Sequence, residues 1–147
     1  MTEQTQSNVL PSVKEFSKPI DEQEAPKPLP EGEYVAEVIE ATRKVSNNTG
    51  REYAEIIFKV EQSRYPHDFV GPEGGIKVRH MVMMEDTDWS RFELKKTFTA
   101  LGAHLPKTRV DIQDLLGRSA IISVKHQEYP KGTGRLKEEI KELKKVA

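Results

Sequence analysis

Between Tyr53 and Glu61 the chain alternates without a break. Ala54, Ile56, Phe58 and Val60 fall on one side, and Tyr53, Glu55, Ile57, Lys59 and Glu61 on the other. A repeat of two is that of a half-buried β-strand, because successive side chains of a strand point to opposite faces. The pattern begins earlier. Tyr34, Ala36 and Val38 share one face of a strand predicted from about Glu33 to Val45. The stretch KVSNNTGREY, Lys44 to Tyr53, lies between the two strands and carries Asn47, Asn48 and Gly50 as turn residues. Two strands joined this way form an antiparallel hairpin.

Beyond the hairpin, residues 63–75 hold Pro66, Pro72 and three glycines, and read as a loop. A third strand follows, with Ile76, Val78, His80, Val82 and Met84 on the inward face and Lys77, Arg79, Met81 and Met83 opposite. Glu85-Asp86-Thr87-Asp88 then supplies capping oxygens and negative charge for a helix from about Asp88 to Leu101. Leu94, Phe98 and Leu101 form its apolar stripe, Trp89 and Phe92 stand near its start, and Gly102 ends it. Asp111 to Leu116 reads as one helical turn stopped by Gly117, and Ser119 to Tyr129 as a fourth strand with Ala120, Ile122 and Val124 inward. In the last segment Leu136, Ile140, Leu143 and Val146 have helical spacing, so periodicity favours helix over a short charged strand.

Composition sets where this pattern begins. Residues 1–30 hold few apolar side chains among Pro11, Pro19, Pro26, Pro28, Pro30 and many polar residues. Such a segment buries too little surface to offset its ordering entropy and is expected to be a disordered, acidic, Pro-rich arm. Pro30-Glu31-Gly32 marks the boundary, leaving 31–147 as one domain. The net charge is −1, and with the acids of the arm set aside the domain is close to neutral, so any electrostatic footprint depends on placement. There is no cysteine, which excludes disulfides, zinc ribbons and thiol nucleophiles. No apolar run approaches the ~20 residues needed to cross a bilayer, and the N-terminus has neither the basic nor the apolar region of a secretory signal. The expectation is a soluble, cytoplasmic protein with no membrane association.

Three strands, a helix, a strand and a possible last strand follow the order of the five-stranded oligonucleotide/oligosaccharide-binding barrel, the OB-fold, which places its helix between strands three and four. Particular residues add a second line. Pro30, Gly32 and Tyr34 open the domain, Ser46 and Gly50 bound the first tip, Ala100-Leu101-Gly102 closes the helix, and Asp114 to Arg118 (Asp-Leu-Leu-Gly-Arg) leads into the fourth strand. In this order and spacing they resemble a family of small bacteriophage single-stranded-DNA-binding proteins with an OB-fold, once catalogued only as a domain of unknown function. The resemblance covers roughly residues 15–143, including the acidic arm. It implies that Lys137 to Leu143 is a fifth strand, and that the protein acts in phage DNA replication or recombination, in the host cytoplasm. The C-terminal Lys144 to Ala147 has no acidic tip of the kind many replicative single-strand binders use to recruit partners, leaving the arm as the substitute.

In a barrel the inward residues fill the core, so a ligand must meet the outward faces and the loops beside them. Strand two presents Tyr53, Ile57 and Lys59 there, strand three Lys77, Arg79 and Met81, and the hairpin tip Arg43, Lys44 and Arg51. Cations that follow phosphates, with flat side chains on which bases stack, are what single-strand binding requires. Tyr53 is the leading stacking candidate. Tyr129 and Lys131 border a basic loop that either closes over a strand or is a plain hairpin turn, and Trp89 is read as a core residue rather than a base platform. A face of Lys, Arg, Glu and Tyr is also what any half-solvated sheet presents.

Catalysis is not expected. His67, His80, His104 and His126 have no metal-ligand spacing, His80 and His126 fall on inward faces, and Glu85, Asp86 and Asp88 sit where a helix start favours acids. No phosphate-binding loop, dinucleotide fingerprint or nucleophile elbow is present, so neither a cofactor nor a metal is expected. The expected function is sequence-independent binding of single-stranded DNA, with replication or recombination proteins and further copies of the chain as possible partners. The alternatives are an OB-like module that binds a protein (a replication or recombination partner, or an anti-host target) and a virion structural protein.

Overall fold

The structure, a computed structural model, describes residues 8–25 and 27–146. It is mostly sheet: β1 (Gly32–Val45), β2 (Glu52–Val60), β3 (Ile76–Met83), β4 (Ser119–Glu128) and β5 (Leu136–Lys144), with one helix, α1 (Asp88–Ala100), between β3 and β4. All neighbouring strands are antiparallel, in the order β3-β2-β1-β4-β5.

β1 organises the sheet. Its first part, Gly32 to Glu37, pairs with β4, and from Glu37 onward it pairs with β2. One strand thus serves both halves of a curling sheet. Between Val38 and Glu40 the register with β2 slips by one residue, Ile39 being the extra one. A bulge of this kind bends the strand and reverses which side chains face inward. Tyr34, Ala36 and Val38 are buried before it, and Ala41 after it.

The core lies between the inner face of the sheet and α1. Ala54, Ile56, Phe58 and Val60 of β2 are fully buried, joined by Val78 and Val82 of β3, Ala120, Ile122 and Val124 of β4, and Phe98 of α1. His80 shares this face, its ring edge-on to Phe58 with centroids 6.3 Å apart. Thr87 caps α1, its side chain accepting from the Ser90 amide at 3.2 Å, and the helix buries Ser90, Leu94, Thr97 and Phe98. A short 3-10 turn at Ile112–Leu115 inserts Ile112 and Leu115 into the core, and Gln113 Nε2 donates to the Ala41 carbonyl at 2.7 Å. Gly75, before β3, has φ +103°, and a Cβ there would stand 2.5 Å from the Val60 carbonyl oxygen, so only glycine fits this crossing.

One sequence reading is decided and two change. The last segment is a strand, as the resemblance implied and its helical spacing did not: Leu136–Lys144 pairs along β4, with a register slip opposite Ser123 and Val124. Its helical spacing is overridden because pairing with β4 buries Ile140 and half-buries Leu143, and its charges suit an edge strand that must not pair further. Trp89 is no core residue, being 69% exposed, and Phe92 is also exposed, because the buried stripe of α1 is the one through Ser90, Leu94, Thr97 and Phe98. Finally, packing begins before Glu31. Leu29 has no exposed surface, its amide donates to Glu138 Oε2 at 2.8 Å, and its carbonyl accepts from His126 Nε2 at 2.7 Å.

β3 and β5 are the two edges of the ladder. Their Cα atoms come within 8 Å of each other, but no backbone pairing joins them among the described residues, so hydrogen bonding leaves the sheet open. α1 packs against both edges.

Candidate nucleic-acid interface

The registers of β1, β2 and β3 set out the outer face row by row. Lys44 stands opposite Tyr53, and Tyr53 opposite Met83; then come Thr42, Glu55 and Met81; then Glu40, Ile57 and Arg79; then Glu37, Lys59 and Lys77. Lys44, Tyr53, Lys59, Lys77 and Arg79 therefore share one continuous face. The bulge at Ile39 puts Lys44 there: had the phase of Tyr34 to Val38 continued, Lys44 would point inward.

Glu55 stands at the centre of this face. Its Oε1 accepts from Lys44 Nζ at 2.7 Å, and its Oε2 pairs with the Arg79 guanidinium. The Lys44 hydrogen bond, joined by Arg79 and opposed by partial burial, holds the Glu55 carboxyl below its ordinary value, and Glu55 in turn raises Lys44. Lys59 reaches Glu61 at 3.9 Å, whereas Lys77 has no ion-pair partner among the described residues. Lys59 and Lys77 are direct cross-strand neighbours of like charge, an arrangement that costs stability unless an anion comes between them. The Lys59 stem lies over Gly75, which leaves room for it.

Other candidates fall elsewhere. Arg43 lies on the opposite side of β1 from Lys44 and pairs with Glu52, away from the face. Arg51, at the tip, points toward Glu85 at 4.0 Å. Tyr129 and Lys131 belong to the β4–β5 tip, which by register lies past the N-terminal end of β1, while the β1–β2 tip lies past its C-terminal end. Tyr129 is exposed, with Lys137 Nζ 5.2 Å from its ring, and borders a cleft between that tip and Lys27 and Pro28. The tip is ordered by Glu128, whose carboxylate accepts from the Gly132 amide at 3.0 Å and the Gly134 amide at 2.6 Å and is held low by them.

A second aromatic and basic surface escaped the sequence reading. Trp89 and Phe92 lie with ring centroids 5.8 Å apart on the exposed side of α1, and Lys96 Nζ stands 5.5 Å over the Phe92 ring. The signal was present: positions 89, 92, 96 and 99 are spaced as a helical stripe of their own, parallel to the buried one. Among the described residues no group of three or more His, Asp or Glu is placed to hold a metal ion, and no helix is long and apolar enough to cross a membrane. No protein-family model matches the chain, and neither does any curated protein.

Proposed function

We propose that the chain is a single-stranded-DNA-binding protein of OB type, in which the outer face of β1, β2 and β3 takes the strand without reading its sequence. The reading rests on one observation: Lys44, Tyr53, Lys59, Lys77 and Arg79, drawn from three strands, share one continuous surface with Met81. An OB-type barrel is supported by the strand order, by a helix between β3 and β4 packed on both sheet edges, and by the close approach of β3 to β5. On this reading Tyr53 and Met81 offer flat or polarisable contact to bases, Lys59 and Lys77 take phosphate directly, and Lys44 and Arg79 exchange Glu55 for phosphate. Lys44 and Arg79 keep 44% and 42% of their side chains exposed, so phosphate reaches both cations, and their contact with it releases counterions from the nucleic acid. The proposed role is in phage replication or recombination, without catalysis.

Fluorescence anisotropy with an oligothymidine tests this. Binding at low salt should weaken steadily as salt rises. Lys77→Ala should lower the salt slope by about 1, Tyr53→Ala should cost roughly 1–3 kcal/mol of binding, and Arg43→Ala should change neither. A blank titration at low salt would overturn the proposal. The charge balance around Glu55 would then favour the second reading, a module that binds a protein through the same face, tested by pull-downs that depend on Met81 and Ile57.

A further inference from the structure

We propose that the N-terminal arm of one copy docks into a lysine-rimmed groove on a second copy, linking copies head to tail. The groove lies between α1 and the end of β5. Phe92, Ala100 and Leu143 line it, and Lys95, Lys96 and Lys145 surround them. Lys95 and Lys145 have no ion-pair partner among the described residues, and Lys96 has only Glu93, at 3.4 Å. An apolar groove ringed by cations suits a segment that is apolar and acidic together.

The arm is such a segment. Val13, Phe16 and Ile20 are 77%, 58% and 64% exposed, left in water by their own copy. Residues 13–24 carry four acids, Glu15, Asp21, Glu22 and Glu24, against two lysines, Lys14 and Lys18, with Lys14 Nζ 5.2 Å over the Phe16 ring, so the segment is acidic on balance and most so after Ile20. Covering apolar side chains is favourable in proportion to the area removed from water, so a partner surface is favourable for each of them. Pro19 restricts the backbone between Phe16 and Ile20, which lowers the entropy lost on docking.

Position argues for a second copy. The arm is rooted at Leu29, which is bonded to Glu138 near the start of β5, whereas Leu143 and Lys145 stand at its far end. At about 3.3 Å per residue, roughly 20 Å of strand separates the two. The nine residues from Ile20 to Leu29 are long enough to cover that distance, yet their own copy leaves Phe16 and Ile20 exposed, so the groove of a second copy is the one left to take them. The two surfaces differ, so the contact is heterologous, and with the arm root and the groove at opposite ends of β5 it repeats from copy to copy, into an open chain or, where the rotation closes, a ring. Copies aligned in this way would coat a nucleic-acid strand cooperatively, but the contact itself needs no nucleic acid.

Sedimentation velocity of the full chain, with no DNA present, tests it at several concentrations and salt levels. Wild type should show mass rising with concentration and falling with salt. An arm variant, Phe16→Ser with Ile20→Ser, and a groove variant, Lys95→Glu with Lys96→Glu and Lys145→Glu, should each stay monomeric with circular dichroism unchanged. Mixed together they should form a dimer and nothing larger, because one brings an intact groove and the other an intact arm. Wild type that stays monomeric throughout overturns the proposal, as does assembly that persists in either variant or a mixture that stays monomeric. An arm that compacts its own copy without a change in mass overturns it too. Because DNA is absent, failure here is distinct from failure of the DNA-binding proposal.

Discussion

Leu29 lies in a stretch whose prolines and charges read as arm, yet it has no exposed surface. Replacing it with alanine should cost about 2–5 kcal/mol, the range for a large aliphatic side chain removed from a packed site, measured by urea denaturation at pH 7.5. A loss under 1 kcal/mol would mean that Leu29 only covers the core. His80 makes a different prediction. Burial against Phe58 and α1 lowers its pKa from the ordinary 6.5, against the opposing charge of Glu93. A base whose folded pKa is depressed binds fewer protons folded than unfolded, so stability is full above pH 6.5 and declines as pH falls below it. Thermal midpoints should drop between pH 7 and 5 in the wild type and drop less in His80→Asn. Both residues resisted sequence reading in the same way: alternation placed His80 inward, but nothing local revealed its neighbours or the pocket awaiting Leu29.

At the scale of the element, β1 shows why the candidate site was only partly legible. Tyr53 and Lys59 on β2, and Lys77 and Arg79 on β3, were assigned to the right face because both strands keep an unbroken period of two. β1 does not. Its bulge at Ile39 exchanges faces, sending Lys44 to the site and Arg43 away, and no turn residue in Glu37-Val38-Ile39-Glu40 announces it. The Glu55 ion pairs also needed the three registers before they could be seen. Glu55→Gln should therefore release Lys44 and Arg79, tighten oligothymidine binding at low salt and steepen its salt dependence. The same change should remove a stabilising contribution that is present above pH 4.5, the ordinary value, and lost as pH falls toward the depressed folded pKa. Weaker DNA binding in Glu55→Gln would show that the carboxylate positions the two cations rather than competing for them.

For the whole molecule, the boundary between arm and domain can be cut in two places. At concentrations where the chain is monomeric, removing residues 1–25 should leave the urea midpoint unchanged, because the exposed apolar side chains of the arm contribute nothing to the core of their own copy. Removing residues 1–30 should cost at least as much as Leu29→Ala, since the Glu138 and His126 hydrogen bonds to Leu29 go with it. Equal midpoints for the two truncations would place the boundary back at Glu31. By itself the sequence determined what local patterning can carry: the alternation of β2, β3 and β4, the turns between them, the helix between β3 and β4, and which side chains of a regular strand share a face. Tertiary structure alone decided that β4 overrides the helical spacing of Leu136–Lys144, that the bulge brings Lys44 rather than Arg43 to the outer face, that Leu29 is core and that Trp89 is not. Each of these depends on a partner far along the chain. Periodicity states that a side chain has a face; whether that face is covered is settled only by what folds against it.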